Sequence, residues 1–339
     1  MTQHEHAEPL DPARLAERLR PKLDELAGER QQLRRTALQW LIIIGSIAAV
    51  LVVAGLVSLV TGSGEAAAMI GLLPVLGGSV LCLVLGVRYQ ARWRNRVGTV
   101  LVPEVGAALD DGVEYQAQAH GSVVDPFRAL ELVGPWRRGE IDHLLKGEYQ
   151  GRGFEMVHAS LRSGGGGKNK NQTQVFNGLL FRIQTSSNVD PGLSIGSNKS
   201  LLARTFGKRA VSTGNETFDK LFRVSVEDSS EMSTEQLNQV FTPDWQQAVL
   251  ALNELLGTLK TGEPRLRAGL KYDAFYLAVT LDHPDVSGFL KSQRHRAFPR
   301  VGNLLASEYR VEDDLESVVA DIGIIGRVIE KLPDGGGTG

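Results

Sequence analysis

An almost uncharged apolar block near the N-terminus dominates the hydrophobic pattern of this chain. Between residues 37 and 87 the only formal charge is Glu65, which divides the block into the segments 37–60 and 66–87. Each segment is longer than the roughly 20 apolar residues that a helix needs to cross a bilayer. The pattern therefore predicts two transmembrane helices.

Arginines lie before the first predicted span and after the second. The linker 61–65 has no basic residue, so the positive-inside rule places both chain ends in the cytoplasm. Because backbone polar groups in hydrocarbon must be satisfied within helices, so short a linker predicts an antiparallel hairpin. We therefore expect a multi-pass protein of the cell (inner) membrane. The flanking arginines are Arg30, Arg34, Arg35, Arg88, Arg92, Arg94 and Arg96.

Small residues recur at four-residue spacing inside both predicted spans. Gly45 and Ala49 form one such pair, and Gly78, Cys82 and Gly86 form a series in the second span. Small side chains at this spacing let helix backbones approach closely in membranes, so we expect these residues to be packing positions. Neither span contains an ionisable residue of the kind that marks an ion or proton path, which argues against transport by one chain alone.

Residues 1–36 are predicted to form a cytoplasmic N-terminal amphipathic helix that runs into the first span. Leu19, Leu26 and Leu33 lie seven residues apart, and Arg30 interrupts the pattern. So short a heptad pattern is compatible with a coiled coil, or with a helix that rests on the protein's own cytoplasmic domain.

The region 88–334 is predicted to be a cytoplasmic α+β domain with a mixed helix and antiparallel-sheet architecture. It begins with a helical connector from Arg88 through Pro103, and later segments alternate as half-buried strands do. The last two strands are predicted to form a hairpin through residues 271–274. Without regular alternation of strands and helices, an α+β fold is favoured over a doubly wound sheet. The predicted strands cover residues 152–161, 175–185, 222–226, 266–270 and 275–281.

Strong helix signals lie between and after these strands. Ser233 and Gln236 form a capping-box pattern, and Thr242 with Pro243 predicts the start of a second helix that ends at Gly257. A final helix is predicted over residues 311–332, and the tail 335–339 is expected to be disordered.

Charge and cysteine content exclude several function classes. From residue 88 onward the basic and acidic residues are nearly balanced, whereas nucleic-acid binders usually carry a basic excess. Cys82 is the only cysteine and lies within the second predicted span, so neither a disulfide framework nor a thiolate metal site is expected.

Candidate catalytic motifs are weak. The run 164–168 fails as a phosphate-binding loop, because Arg162 stands where its first glycine belongs and Asn169 where Ser or Thr belongs. Glu140, Asp142 and Glu148 form an acidic cluster that fits a solvated surface better than an acid and base pair. No metal-ligand spacing occurs among the histidines. We therefore expect no enzyme activity, no cofactor and no metal.

A dense basic run precedes the final helix. Held near the cytoplasmic leaflet it would attract anionic lipid, or it would pair with the acidic residues at 312–316. The run consists of Lys291, Arg294, His295, Arg296 and Arg300.

Short motifs after the predicted hairpin occur in an order that resembles a bacterial membrane family. They are Ile141-Asp142, Lys146-Gly147, the segments 151–154, 176–181 and 218–224, and Phe241-Thr242-Pro243. This order is similar to the family catalogued as domain of unknown function thirty-one thirty-seven. The resemblance covers residues 88–281 and the hairpin. It implies a fold, but no activity and no catalytic residues.

These observations favour a membrane-anchored cytoplasmic binding or scaffold module. A subunit of an oligomeric channel or transport complex is the alternative, and an enzyme acting on a membrane substrate rests only on the acidic cluster. The expected partners are the lipid bilayer and either another protein or further copies of this chain, with no nucleic acid.

Overall fold

The computed structural model combines long N-terminal helices with an antiparallel sheet, so the predicted α+β class is confirmed. The chain forms two compact units. The helical unit consists of Pro12–Val100 and Val301–Glu316, and the sheet unit includes Leu101–Arg300 and Ser317–Gly339. The structure describes residues 11–60, 64–110, 112–164, 173–197, 210–226, 233–258, 266–280, 298–299 and 301–333.

Three helices provide most of the helical unit, namely α1 (Pro12–Arg18), α2 (Arg20–Val60) and α3 (Gly64–Leu109). The predicted N-terminal helix over 1–36 corresponds to α1 and the first part of α2, which continues through the first predicted span. Residues 1–10 of that prediction lie outside the described residues. The domain boundary predicted at residue 88 falls inside α3, and the predicted connector through Pro103 belongs to the same helix. The physical reason is a row of buried side chains that keeps four-residue spacing beyond the apolar segment. This row consists of Trp93, Val97, Leu101 and Val105.

Helices α2 and α3 touch at two levels within the helical unit. A Cβ placed on Gly78 would lie 3.4 Å from the Cβ of Ala48, and Arg96 Nε donates to Glu29 at 2.7 Å. Because residue numbers rise along α3 while they fall along α2, the contacting stretches run antiparallel. The numbers of facing residues add up to about 125. Between these two contacts, each residue of one helix therefore has a level on the other at about 1.5 Å per residue.

The sheet unit is organised around one antiparallel sheet. Its described strands follow the order β1-β2-β3-β4-β6-β5, and β7 pairs with the long strand β4. The predicted strands in β3, β4 and β6 are confirmed, although β4 is much longer than predicted. The strands are β1 (Glu114–Gln118), β2 (Arg138–Tyr149), β3 (Arg152–Ser163), β4 (Thr173–Ser197), β5 (Ala210–Val211), β6 (Phe222–Val226) and β7 (Arg267–Thr280).

The hairpin predicted through residues 271–274 is wrong, because β7 continues through it. Tyr272 pairs with Val189 and Ala274 pairs with Gln184, both on β4. Tyr272 adopts a φ of 51°, and the register shifts on either side of Val189. These irregularities bend the strand without reversing the chain.

Short helices complete the sheet unit and the C-terminal region. The capping box of Ser233 and Gln236 is confirmed at the start of α6, and Pro243 begins α7 as predicted. The predicted final helix is broken at Gly323, a residue type that weakens helix interiors. These helices are α4 (Asp125–Ala129), α5 (Glu216–Leu221), α6 (Thr234–Val240), α7 (Pro243–Thr258), α8 (Val311–Ile322) and α9 (Ile324–Lys331).

Helices cover both faces of the sheet. Phe275 and Tyr276 are consecutive on β7 and therefore point to opposite faces. Phe275 stacks on Trp245 of α7 with ring centroids 5.5 Å apart, while Tyr276 meets Phe127 of α4 edge to face at 5.3 Å. The sheet is thus buried on both sides, as the burial of β7 indicates.

Candidate functional site

The helical unit exposes a long apolar surface on α2. Large apolar side chains are exposed from Leu38 to Val57, with Ile42 at 66% and Val50 at 67%. This stretch is about 29 Å long at about 1.5 Å per residue, close to the roughly 30 Å hydrocarbon thickness of a bilayer. A surface of this kind is unusual on a soluble monomer and marks contact with lipid or protein.

Helix α3 exposes apolar side chains beside α2. We call the exposed apolar residues of both helices the apolar belt. Among the described residues, one helix, that of residues 20–54, is long and apolar enough to cross a membrane, and only 6% of its most apolar stretch is buried. The belt consists of Leu38, Trp40, Ile42, Ile43, Ile47, Val50, Leu51, Val53, Leu56 and Val57 on α2, and Val80, Leu81, Leu83, Val84 and Val87 on α3.

The predicted small-residue positions take different places in this helix pair. Gly78 lies against Ala48 and Ile44, and Cys82 is half-buried one turn further along α3. Gly45 and Ala49 are exposed, and a Cβ on Gly45 or on Gly86 would meet no described atom within 4 Å. The spacing of small residues therefore predicts the position at which α3 approaches α2, namely Gly78. The spacing on α2 does not predict which face of that helix contacts α3.

A buried arginine ties the C-terminal part of the helical unit to α2. The guanidinium of Arg30 donates to the carbonyl oxygens of Tyr309, at 3.1 Å, and Ala306, and it lies over the Tyr309 ring at 4.4 Å from the centroid. Trp93 of α3 donates to the Tyr309 hydroxyl at 3.3 Å. The residue that interrupts the predicted heptad pattern is therefore the one that fixes this segment.

In the sheet unit, a bulge in β2 changes which side chains share a face. Asp142 pairs with His158 of β3, and Leu145 pairs with Met156, so two residues of β2 lie opposite one residue of β3. His143, within the bulge, adopts a φ of 53°. Since His158 and Met156 point to the same face of the sheet, Asp142 and Leu145 do so as well. Bulges commonly redirect side chains in this way.

The bulge brings polar and aromatic side chains together in what we call the histidine cluster. His158 Nδ1 lies 2.6 Å from Asp142 Oδ1, and His143 Nδ1 lies 2.9 Å from the Tyr115 hydroxyl. Phe298 packs against both imidazoles, with ring centroids 5.5 Å from His143 and 6.2 Å from His158. The two histidines are buried. The cluster consists of Tyr115, Asp142, His143, His158 and Phe298.

Burial shapes the electrostatics of this cluster. Desolvation, together with the negative charge of Asp142, raises the pKa of Tyr115 to about 12. The phenol therefore stays neutral and available for its hydrogen bond with His143 over the physiological range.

The pairing of His158 leaves one side of its ring open. Asp142 fixes the imidazole through Nδ1, while Nε2 is buried and has no hydrogen-bond partner among the described residues. A neutral imidazole accepts a hydrogen bond at such a nitrogen, and a protonated one donates it. Within the part of the chain that the structure describes, no three His, Cys, Asp or Glu residues are placed to hold a metal ion.

The other predicted site residues do not come together in one site. Of the acidic cluster, only Asp142 joins a polar network, while Glu140 and Glu148 are exposed. The histidine cluster could not be found in the sequence, because it depends on the register of the bulge. The basic run of Lys291, Arg294, Arg296 and Arg300, and the predicted tail 335–339, lie outside the described residues.

Comparisons with known proteins place this chain beside one solved structure. No family model and no curated protein matches the sequence. The crystal structure of the mycobacterial trehalose monomycolate transport factor A is similar over 70% of this chain and 97% of its own, at 7% identity and a TM-score of 0.34. A likeness at this level carries no argument about function.

Proposed function

We propose that this protein is a multi-pass protein of the cytoplasmic membrane whose sheet unit acts as a binding or scaffold module on the cytoplasmic side. The observation that carries the proposal is the apolar belt. Burying large apolar side chains in lipid is favoured by about 25 cal/mol for each Å² removed from water. The belt matches the bilayer in length, as an anchor requires.

The second crossing is part of this proposal. Residues 66–87 are as apolar as the first segment, and α3 exposes apolar side chains from Val80 to Val87. The contact of Gly78 with Ala48 and the ion pair of Arg96 with Glu29 support an antiparallel hairpin. Arginines at the outer ends of both segments favour chain termini in the cytoplasm.

We favour binding over catalysis for the sheet unit. The sequence carries no catalytic motif, and the histidine cluster holds an oriented imidazole whose open nitrogen is buried. The proposed partner is another protein or a second copy of the chain. We also propose that the chain belongs to the family catalogued as domain of unknown function thirty-one thirty-seven.

Reporters at both chain ends test the anchor. A fluorescent protein that matures only in the cytoplasm and a phosphatase active only outside it would be fused to each terminus in turn. We expect cytoplasmic signals from both ends and retention in membranes after an alkaline carbonate wash. Termini on opposite sides would mean an odd number of crossings, and release by carbonate would refute insertion.

The particle mass tests the binding role. The full-length protein, solubilised in mild detergent, would be weighed by native mass spectrometry and its associated chains identified. A discrete complex with a foreign protein or a second copy supports a binding module. A closed ring of many identical subunits would instead support the channel or transport alternative.

A further inference from the structure

We propose that four arginines at one end of the apolar belt form a binding site for the phosphate groups of anionic lipids in the cytoplasmic leaflet. This inference rests on the proposed membrane insertion. We call the site the arginine cluster, and it consists of Arg34, Arg35, Arg88 and Arg92.

The pairing of α2 with α3 brings these arginines to one level. Because the numbers of facing residues on the two helices add up to about 125, Arg34 and Arg35 of α2 lie level with residues 91 and 90 of α3. All four arginines therefore fall between the levels of Arg88 and Arg92, which is about 6 Å along the helix axis at about 1.5 Å per residue. The sequence spreads them over two segments that are far apart.

The cluster begins where the apolar belt ends. Leu38 of α2 and Val87 of α3 are the belt residues next to it, and on the shared scale they occupy the same level. The exposed Trp40 lies just inside this boundary, as aromatic residues at a membrane interface do. If the belt lies in hydrocarbon, the four guanidinium groups lie at the depth of the lipid headgroups.

The positive charge of the cluster is not neutralised by the described parts of the chain. No ion pair of these four arginines is formed there, and Arg35, Arg88 and Arg92 are exposed. Arg34 Nε is buried without a hydrogen-bond partner among the described residues. The guanidinium group of Arg92 lies over the Tyr89 ring at 5.8 Å from the centroid, a cation–π contact that adds no negative charge to the cluster.

The carboxylates nearest to the cluster along α2 are already occupied. Glu25 and Glu29 both pair with Arg96 of α3, at 3.3 Å and 2.6 Å. In the C-terminal part of the helical unit, Asp314 accepts the backbone N–H of Gly302 at 2.8 Å, and its negative charge acts on Arg30. None of these carboxylates forms an ion pair with the four arginines among the described residues.

Anionic lipid fits this surface better than an acidic protein does. Guanidinium groups bind phosphate oxygens in a bidentate fashion, and the charges adjoin an apolar surface that fatty acyl chains would cover. An acidic protein partner would have to reach charges that lie at the membrane boundary. Continuity of the charged and apolar surfaces therefore selects a molecule that is anionic at one end and apolar at the other.

Lipid retention by the full-length protein tests the inference. Protein in mild detergent would be supplied with equal amounts of phosphatidylglycerol and phosphatidylcholine, and the bound lipids would be counted by native mass spectrometry. We expect the unaltered protein to prefer phosphatidylglycerol and R88Q/R92Q to lose at least fivefold of that preference, since each basic residue near an anionic surface contributes about fivefold in affinity. R88K/R92K should retain most of it, and added salt should weaken it.

The matched control removes the same charge elsewhere in the helical unit. Arg18 and Arg20 are exposed, and Arg20 lies about 21 Å from Arg34 along α2 at about 1.5 Å per residue. R18Q/R20Q should therefore keep the preference. No preference in the unaltered protein, or an equal loss in both variants, would overturn the lipid site. A protein that retains no lipid and leaves membranes on a carbonate wash would overturn both this inference and the proposed anchor.

Discussion

Two glycines of β4 show how neighbouring strands constrain a single position. A Cβ on Gly178 would overlap the backbone carbonyl oxygen of Val279 on β7, whereas a Cβ on Gly196 would meet no described atom within 4 Å. The sequence shows two similar glycines in an extended segment. Only the close approach of β7 makes the first of them irreplaceable.

Replacing Gly178 with alanine should destabilise the protein strongly. Because the clash involves backbone, which cannot rotate away as a side chain does, we expect a loss of about 3 kcal/mol or more, or failure to fold. G196A on the same strand should change stability by less than about 1 kcal/mol. Thermal unfolding in detergent measures both, and equal midpoints for the two variants would contradict the proposed strand contact.

Tyr115 should make stability depend on alkaline pH. Its folded-state pKa is raised to about 12 from an ordinary value of 10, so the folded state holds its proton more tightly than the unfolded state. This stability is fully present below pH 10 and is lost as pH rises toward 12. The partial exposure of Tyr115 reduces the effect through solvent screening.

The measurement compares the unaltered protein with Y115F. Over the alkaline range, the unfolding free energy of the unaltered protein should fall more steeply than that of Y115F. The tyrosinate absorbance that the unaltered protein shows in excess of Y115F should appear at a higher pH than that of an ordinary tyrosine. Parallel slopes for the two proteins would show that burial does not hold this phenol neutral.

At the scale of elements, the sequence predicts those that carry a regular pattern or a strong cap. Strands β3 and β6 alternate cleanly, and α7 begins with Thr242 and Pro243. The sequence does not predict strand β2, because the consecutive Leu144 and Leu145 are both buried, which breaks the alternation. Its exposed Arg138 and Glu140 made the segment resemble a charged surface. The segment forms a strand because it pairs with β3, and this pairing cannot be seen in its local pattern.

Arg30 should be essential for holding residues 301–310 in the helical unit. R30Q removes donors to carbonyl oxygens that include that of Tyr309, and hydrogen bonds to charged groups contribute about 1.5–3 kcal/mol each. Gln90, which bonds Gly302 and Leu304 at 2.8 Å and 2.9 Å, remains. We expect a loss of at least about 2 kcal/mol and faster protease cleavage within this segment.

The exposed Arg18 provides the control for this substitution. R18Q removes the same charge without a buried contact, so it should change stability by less than about 0.5 kcal/mol. Cleavage of residues 301–310 at the same rate in both variants would show that Arg30 does not secure the segment.

At the scale of the whole molecule, the order of the hydrophobic patterns indicates the α+β class, and the apolar block indicates a helix that is long and apolar enough to cross a membrane. The division into two units could not be predicted, because residues 301–316 join the helical unit through contacts that cross more than half of the chain. The sequence does not predict that α3 continues to Leu109, because a proline usually ends or kinks a helix and Pro103 lies inside it.

The only cysteine offers a whole-molecule test of insertion. Cys82 lies among belt residues of α3, so a charged maleimide should not label it in intact or permeabilised membranes, while denaturation in detergent should expose it. An added cysteine at the exposed Thr99 should react from the cytoplasmic side. Rapid labelling of Cys82 by the charged reagent would place it in water.

The hydrogen bonds that Arg30 makes near residue 309 also bear on synthesis. The ribosome makes Arg30 first, and the carbonyl oxygens that accept hydrogen bonds from its guanidinium group, those of Ala306 and Tyr309, follow 276 and 279 residues later. Until then the nascent chain carries a charged group whose final partners do not yet exist. A chain that stopped short of residue 306 would never form these hydrogen bonds, so water would solvate Arg30 and α2 would lack its tie to this segment.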